Sequence, residues 1–165
     1  MIRNDLQSDS SFAGIFIAGD AYVNAQYRPS RGRRTDFEYT SNDDEKEIWL
    51  RLVKEGGVVS CFYRGDLNAA WVELVTEEIE FVNDGFYVGI AVTSGIFGET
   101  ATLVTNDFEI SGGEFHTLDV GDVGREGFGV EVSPGVWNVK GAGSGMGVSV
   151  LLVYSDFQLI VLLDV

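Results

Sequence analysis

The chain has 165 residues, 45% of them hydrophobic, one cysteine, and 11 lysines and arginines against 26 aspartates and glutamates, for a formal charge of −15. That length fits one domain, 1–165, able to bury roughly 70% of the surface its unfolded form exposes without a metal or disulfide to hold it. The charge repels phosphate backbones and anionic lipid at long range, which disfavours nucleic acid and membrane surfaces, and the lone Cys61 can form no intrachain bridge and so marks no redox compartment.

The opening MIRNDLQSDSS lacks the apolar run of a secretory signal, and the apolar tail is interrupted at Ser155 and Asp156, so neither export signal nor membrane span is expected. Between them, apolar residues recur with the two-residue period of half-buried strands. In chain order the pattern predicts strands over 12–19, 21–28, 35–40, 48–54, 58–64, 70–75, 86–94, 101–110, 129–133, 136–141, 147–154 and 157–165. Gly, Asn, Asp and Ser separate them at the short spacing of antiparallel connections. SNDDEKE (41–47) and VTEEIEF (75–81) carry weak helical signals and read better as solvated acidic loops. A dozen strands with 21 glycines predict an all-β chain, two antiparallel sheets packed face to face as a sandwich or jelly roll. A propeller would need an internal repeat, and none is visible at periods of about 20 to 50 residues.

Catalytic constellations are weak. His116 is the only histidine, so a nucleophile has no second candidate base, and Cys61 among apolar neighbours reads as a buried inert thiol. Glycosidases place two carboxylates about 5 to 10 Å apart across a cleft. Glu78 and Glu80 have the alternate-residue spacing but are only two, while Glu73 and Glu131 are isolated, and so acidic a chain produces such pairs by chance. No enzyme is expected. The run Gly141-x-Gly143-x-Gly145-x-Gly147 has dinucleotide-loop spacing but leads into the β-branched VSVLLVY, so no helix N-terminus exists to meet a phosphate. Cofactors are expected to be none; a structural Ca²⁺, which takes about six to eight oxygens, is the one open alternative, with ligands supplied by Asn42-Asp43-Asp44-Glu45 or Asp119 and Asp122.

Arg64-Gly65-Asp66 has the letters of an adhesion tripeptide. Gly and Asp are also what a tight turn needs for positive φ and side-chain-to-backbone hydrogen bonds, and the turn reading is preferred. Carbohydrate binding would use aromatic stacking platforms among polar side chains. Alternation puts Trp49, Arg51 and Val53 on one face of their strand and Leu50 and Leu52 on the other, and gives Tyr22, Asn24 and Gln26 a common mixed face. The candidate sugar-binding residues are Tyr22, Tyr27, Trp49, Arg51, Tyr63 and Trp71. The competing reading makes Trp49 and Tyr63 core aromatics.

WLRLVKEGG, then VSCFYRGDLNAAW, then GFYVGIAVTSG, with TLVTNDFEI as a closing strand, resembles the concanavalin A-like jelly-roll family, in particular the regulation-of-enolase-like modules of multidomain bacterial surface proteins. The matching positions are Trp49 to Val53, Gly56-Gly57, Phe62-Tyr63, Arg64 to Asp66, Trp71 and Tyr87 to Ser94. DVGDVGREG, WNVKGAGSG and LLVYSDFQLIVLLDV resemble the family's opening half. Residues 1–111 thus resemble the central and closing part of a module and 112–165 its opening part, as in a circular permutant or a chain cut across two tandem modules. The resemblance implies a lectin-like module at or outside a cell surface. Its expected partners are carbohydrate or, in a self-assembling shell, coat or filament using domain-swapped contacts or strand edges at the permuted termini, other copies of itself as a homo-oligomer.

Overall fold

A computed structural model of the chain describes residues 1–18, 22–41, 47–82, 85–94, 99–109, 116–118, 128–134, 136–142, 147–153 and 157–164. Among them no helix occurs. The strands are β1 (Ile2–Arg3), β2 (Phe12–Ala18), β3 (Tyr22–Arg28), β4 (Asp36–Ser41), β5 (Glu47–Glu55), β6 (Val58–Arg64), β7 (Val72–Glu78), β8 (Phe86–Val92), β9 (Thr100–Glu109), β10 (His116–Leu118), β11 (Phe128–Ser133), β12 (Val136–Ala142), β13 (Gly147–Val153) and β14 (Phe157–Asp164). Every segment expected from alternation carries a strand. The short β1 and β10 are additions that two or three residues could not announce.

One correction falls on 75–81. Val75 to Glu78 belong to β7, and Ile79 beyond it is buried. The acidic letters hide an alternation in which Val75, Glu77 and Ile79 turn one way and Thr76 and Glu78 the other. Ile79 N donates to Gly57 O at 2.8 Å and Glu80 N to Pro29 O at 2.8 Å, which ties this stretch to two turns. Residues 42–46 lie outside the described set.

The strands form two seven-stranded sheets, all pairings antiparallel. Sheet A runs β10-β13-β8-β1-β2-β3-β4 and sheet B β11-β12-β9-β14-β5-β6-β7. From sheet B, Ile48, Leu50, Leu52, Val59, Cys61 and Val139 turn inward; from sheet A, Ile2, Ala13, Ile15, Val23, Ala25, Phe86, Val88, Ile90 and Val92 meet them in one continuous core. Each large aliphatic side chain so buried stabilises the fold by roughly 1.5–3 kcal/mol. Strands from 112–165 enter both sheets: β13 pairs β8, β12 pairs β9, and β14 lies between β9 and β5.

The first and last strands, β1 and β14, are interior to their sheets. This corrects the expectation that assembly would use free edges at the termini: an interior strand has both ladder sides occupied. β1 is held on its β8 side by Met1 N donating to Gly89 O at 2.9 Å and Gly89 N donating to Met1 O at 2.9 Å. The outermost described strands are instead β4 and β7 at one lateral end and β10 and β11 at the other. Asp36 and Glu38 on β4, Glu73, Glu77 and Glu78 on β7, and Glu131 on β11 charge these borders, a device that discourages unscheduled strand pairing.

Where β12 of sheet B passes β8 of sheet A, the backbones almost touch. A Cβ placed on Gly141 would stand 2.2 Å from the Val92 carbonyl oxygen, so this glycine is required by close approach. We expect Gly141→Ala to destabilise the protein by about 3 kcal/mol, the upper part of the overpacking range, in a urea titration; an unchanged midpoint would refute the close approach. Burial pushes the Cys61 thiol up to about 12 from 9.0. A folded pKa above the unfolded one means that this group's contribution is whole below pH 9 and lost as pH rises from 9 towards 12. Native protein should therefore resist a thiol-directed reagent at pH 8, react fully in denaturant, and lose stability across that alkaline window less steeply as Cys61→Ala.

Candidate functional site

The six candidate residues separate onto three surfaces. Tyr63 pairs with Leu50 and faces inward with it, packed against the core. Tyr27 also turns inward, at the open end between β3 and β7, where burial, then the Glu77, Asp36 and Glu38 carboxylates, raise its phenol above the usual range. Neither belongs to a sugar platform: their register puts them on the buried side of the sheets. Tyr22 lies on the outer face of sheet A. Trp49, Arg51 and Trp71 come together on the outer face of sheet B.

The outer face of sheet B is a stack of rings and guanidinium groups. Cross-strand register sets Trp49 beside Arg64 and Arg51 beside Phe62, and Trp71, at the entry to β7, joins both pairs. The Arg64 guanidinium lies 5.0 Å from the Trp49 ring centre and 4.4 Å from that of Trp71. Arg51 lies 5.4 Å from Phe62 and 5.7 Å from Trp71. Attraction between cation and ring quadrupole holds such pairs. Arg64 and Phe62 are not among the six candidate sugar-binding residues. Register could have found them, because the two-residue turn at Gly56-Gly57 fixes which β6 residue opposes which β5 residue.

Trp49 is only 8% exposed, yet its burial is due to this cover and not to the core. Its ring is no open stacking platform, which corrects its expected role as a sugar-stacking surface. Trp49 Nε1, Arg51 Nε and Arg64 Nε are removed from solvent and find no hydrogen-bond partner among the described residues. Neither arginine forms an ion pair among the described residues, although Glu73 opposes Phe62 on the same face.

Arg64 is also the first residue of Arg-Gly-Asp, and its stacking answers that motif. Asp66 accepts from Asn68 N at 2.6 Å through its side chain and from Ala69 N at 3.1 Å through its carbonyl. The tripeptide is therefore no tight turn with Gly65 at positive φ, as expected, but the end of β6 leading into a turn over Asp66–Ala69, with its arginine laid back on the sheet.

The outer face of sheet A is open. Val23 and Ala25 are fully buried, so Tyr22, Asn24 and Gln26 face outward; Asn24 opposes Tyr39 and Gln26 opposes Phe37 on β4. Tyr22, Phe37 and Tyr39 are 44%, 53% and 63% exposed. Tyr39 meets Tyr22 edge-on with centres 6.3 Å apart, while Phe37 and Tyr39, also 6.3 Å apart, are tilted by only 31°. Phe37 and Tyr39 escaped sequence selection because Asp36 and Glu38 alternate with them in a strand that reads as acidic.

Of the catalytic and metal candidates, His116 opens β10, Glu73, Glu78, Glu80 and Glu131 are exposed, and both calcium clusters, Asn42 to Glu45 and Asp119 with Asp122, lie outside the described residues. Among the described residues no three His, Cys, Asp or Glu side chains converge on a point where a metal could sit. Gly141 is the next-to-last residue of a strand of sheet B and Gly147 begins one of sheet A, so the glycine run is flanked by strands on both sides.

Removing Arg64 uncovers two indoles. Arg64→Ala should cost about 1–2 kcal/mol of stability, the sum of two partly desolvated cation–π contacts, and shift tryptophan emission to the red; Arg64→Lys should recover part of both. An unshifted emission maximum would mean that the stack does not form. No family model matches the chain, and no curated protein or solved structure matches it either.

Proposed function

We propose that the chain is a non-catalytic, lectin-like module with the concanavalin A-like jelly-roll connectivity its motifs resemble, permuted in order, and that it binds neutral carbohydrate on the outer face of sheet A. One observation carries the reading: three exposed rings, Tyr22, Phe37 and Tyr39, share that face with the amides of Asn24 and Gln26. Sugars present an apolar C–H face and an equatorial rim of hydroxyls, so exposed rings flanked by amides are the complement they require. Asn24 Oδ1 has no hydrogen-bond partner among the described residues, an acceptor that a modest side-chain rotation would offer to a hydroxyl. Placement at or outside a cell surface follows from the same resemblance.

A second reading is favoured by a different feature. At the opposite lateral end, Phe128 and Val130, on one face of β11, are 45% and 47% exposed, and Val132, in the bulge that follows, is 59% exposed. An apolar row at each end of a sandwich suits head-to-tail contact between copies, and a heterologous contact of that kind propagates into rings or filaments. The chain would then be a structural subunit of a shell, coat or filament.

Affinity electrophoresis in native gels containing hydroxyethylcellulose, xylan or galactomannan separates the two. We expect retardation by at least one polymer, weakened roughly tenfold by Tyr39→Ala or Phe37→Ala, which corresponds to about 1–1.5 kcal/mol per stacked ring. Unretarded migration in all three, together with concentration-dependent sedimentation abolished by Val130→Lys, would replace the carbohydrate reading by the assembly one.

A further inference from the structure

The arginines of this acidic chain are used in two different ways. Around the turn at residues 4–11 they are spent on the protein itself. Arg3 donates to the Asp5 carbonyl at 2.5 Å and to that of Gln7; Arg28 donates to the Ser8 and Ser10 carbonyls at 2.8 and 3.0 Å; Arg31 pairs with Asp9 at 2.5 Å and with Asp5. Arg51 and Arg64 have no such employment. On the outer face of sheet B their contacts are aromatic rings, and neither forms an ion pair among the described residues, although Glu73 stands opposite Phe62 on the same face.

The unpaired donors on this face have one sign. Trp49 Nε1, Arg51 Nε and Arg64 Nε are N–H groups, all without an acceptor and all withdrawn from solvent. A buried polar group is ordinarily paired, and one that is not calls for a bound water, ion or ligand to complete it. Three such groups, the two arginines sharing the Trp71 ring and Arg64 lying on Trp49 as well, ask for an acceptor carrying negative charge. Both guanidinium groups belong to residues that stay partly exposed, so an incoming anion can reach their terminal nitrogens and draw the forks towards it.

We propose that the Trp49–Arg64–Trp71–Arg51 face of sheet B is a binding site for a single carboxylate on a small organic ligand, separate from the Tyr22 face of sheet A. Charge selects the class. With a formal charge of −15 on the chain, every further negative charge on a ligand adds long-range repulsion, so a polyanion or a phosphate dianion is penalised more than a monoanion. A planar carboxylate matches the guanidinium fork in two parallel hydrogen bonds, and the indole and phenyl edges supply an apolar floor for the carbon skeleton beside it. A sugar acid and a peptide carboxylate share this chemistry.

Two of the three tryptophans, Trp49 and Trp71, lie in the site, so intrinsic fluorescence reports on it directly. The full chain is titrated with glucuronate and with N-acetylglycine, each against its neutral counterpart, methyl glucuronate ester or N-acetylglycinamide, and with inorganic phosphate. We expect a saturable change with a carboxylate and none with its neutral counterpart; the tighter of the two carboxylates identifies a sugar or a peptide source. Arg51→Gln and Arg64→Gln should each weaken binding at least tenfold and Arg64→Lys severalfold, because one ammonium cannot replace a fork. Tyr39→Ala should leave the titration unchanged, so this site and the carbohydrate reading stand or fall separately. Should a glutamine variant fail to fold, the Arg51 and Arg64 Nε–H signals of the unaltered protein, followed by NMR, carry the test. Equal response to a neutral counterpart, tighter binding of phosphate than of either carboxylate, or Nε–H signals unmoved at the highest carboxylate concentration would overturn the proposal.

Discussion

Successive side chains of a strand point to opposite faces, and in this chain the consequence is concentrated in β5. Ile48, Leu50 and Leu52 must lie between the sheets, because the core they complete includes residues from β1, β2, β3 and β8 of the other sheet. Trp49 and Arg51 are thereby forced outward. A slip of one residue in the pairing of β5 with β6 or β14 would exchange the two sets at once, burying a guanidinium and exposing three aliphatic side chains. The register of the core is thus also the register of the arginine–tryptophan face, and no part of that face can be rearranged without the core.

Positive charge on the described surface is organised by what lies next to it. In the turn near the N-terminus, arginines meet carbonyl and carboxylate oxygens and serve as internal struts; Arg3, mostly by burial, is lowered to about 10. Lys54, buried on the inner side of β5, rests its ammonium 4.7 Å from the Phe86 ring and 5.3 Å from Phe81, closing one end of the core. Arg51 and Arg64 also lie on rings, but on a solvent-facing surface with no element packed over them among the described residues. The same cation–ring attraction seals the interior in one place and prepares a surface in the other.

The two outer faces differ as much as the two lateral ends. Sheet A turns out neutral rings and amides, sheet B rings capped by cations, and the ends carry acidic strands beside exposed apolar rows. Each sheet thus shows a different chemistry to its surroundings according to which side chains the pleat turns outward. This also explains why single-letter motifs mislead here. Arg64-Gly65-Asp66 and the glycine run both acquire their meaning from the strands beside them, one as a strand end that keeps its arginine on the sheet, the other as a segment bounded by strands of opposite sheets.

Period-two hydrophobicity with frequent turn residues was sufficient by itself to establish an all-β chain, the location of twelve of the strands and the division of β5 into an Ile48-Leu50-Leu52 face and a Trp49-Arg51 face, but not which of those faces is buried, because alternation depends only on neighbours along the chain. Pairing between distant strands was not encoded in any local pattern. Only the tertiary structure decided that β1 and β14 are interior, that Tyr27 and Tyr63 face inward while Tyr22 faces out, that Phe37 and Tyr39 complete Tyr22, and that Arg64 covers Trp49. The acidic stretch 75–78 shows the limit clearly: its glutamates looked like loop, and it became strand because Val75 and Ile79 find partners in β6 and in the core. Which face of a strand is buried, and which side chain covers which ring, are properties of contacts between segments tens of residues apart, and those contacts exist only once the sheets have closed on one another.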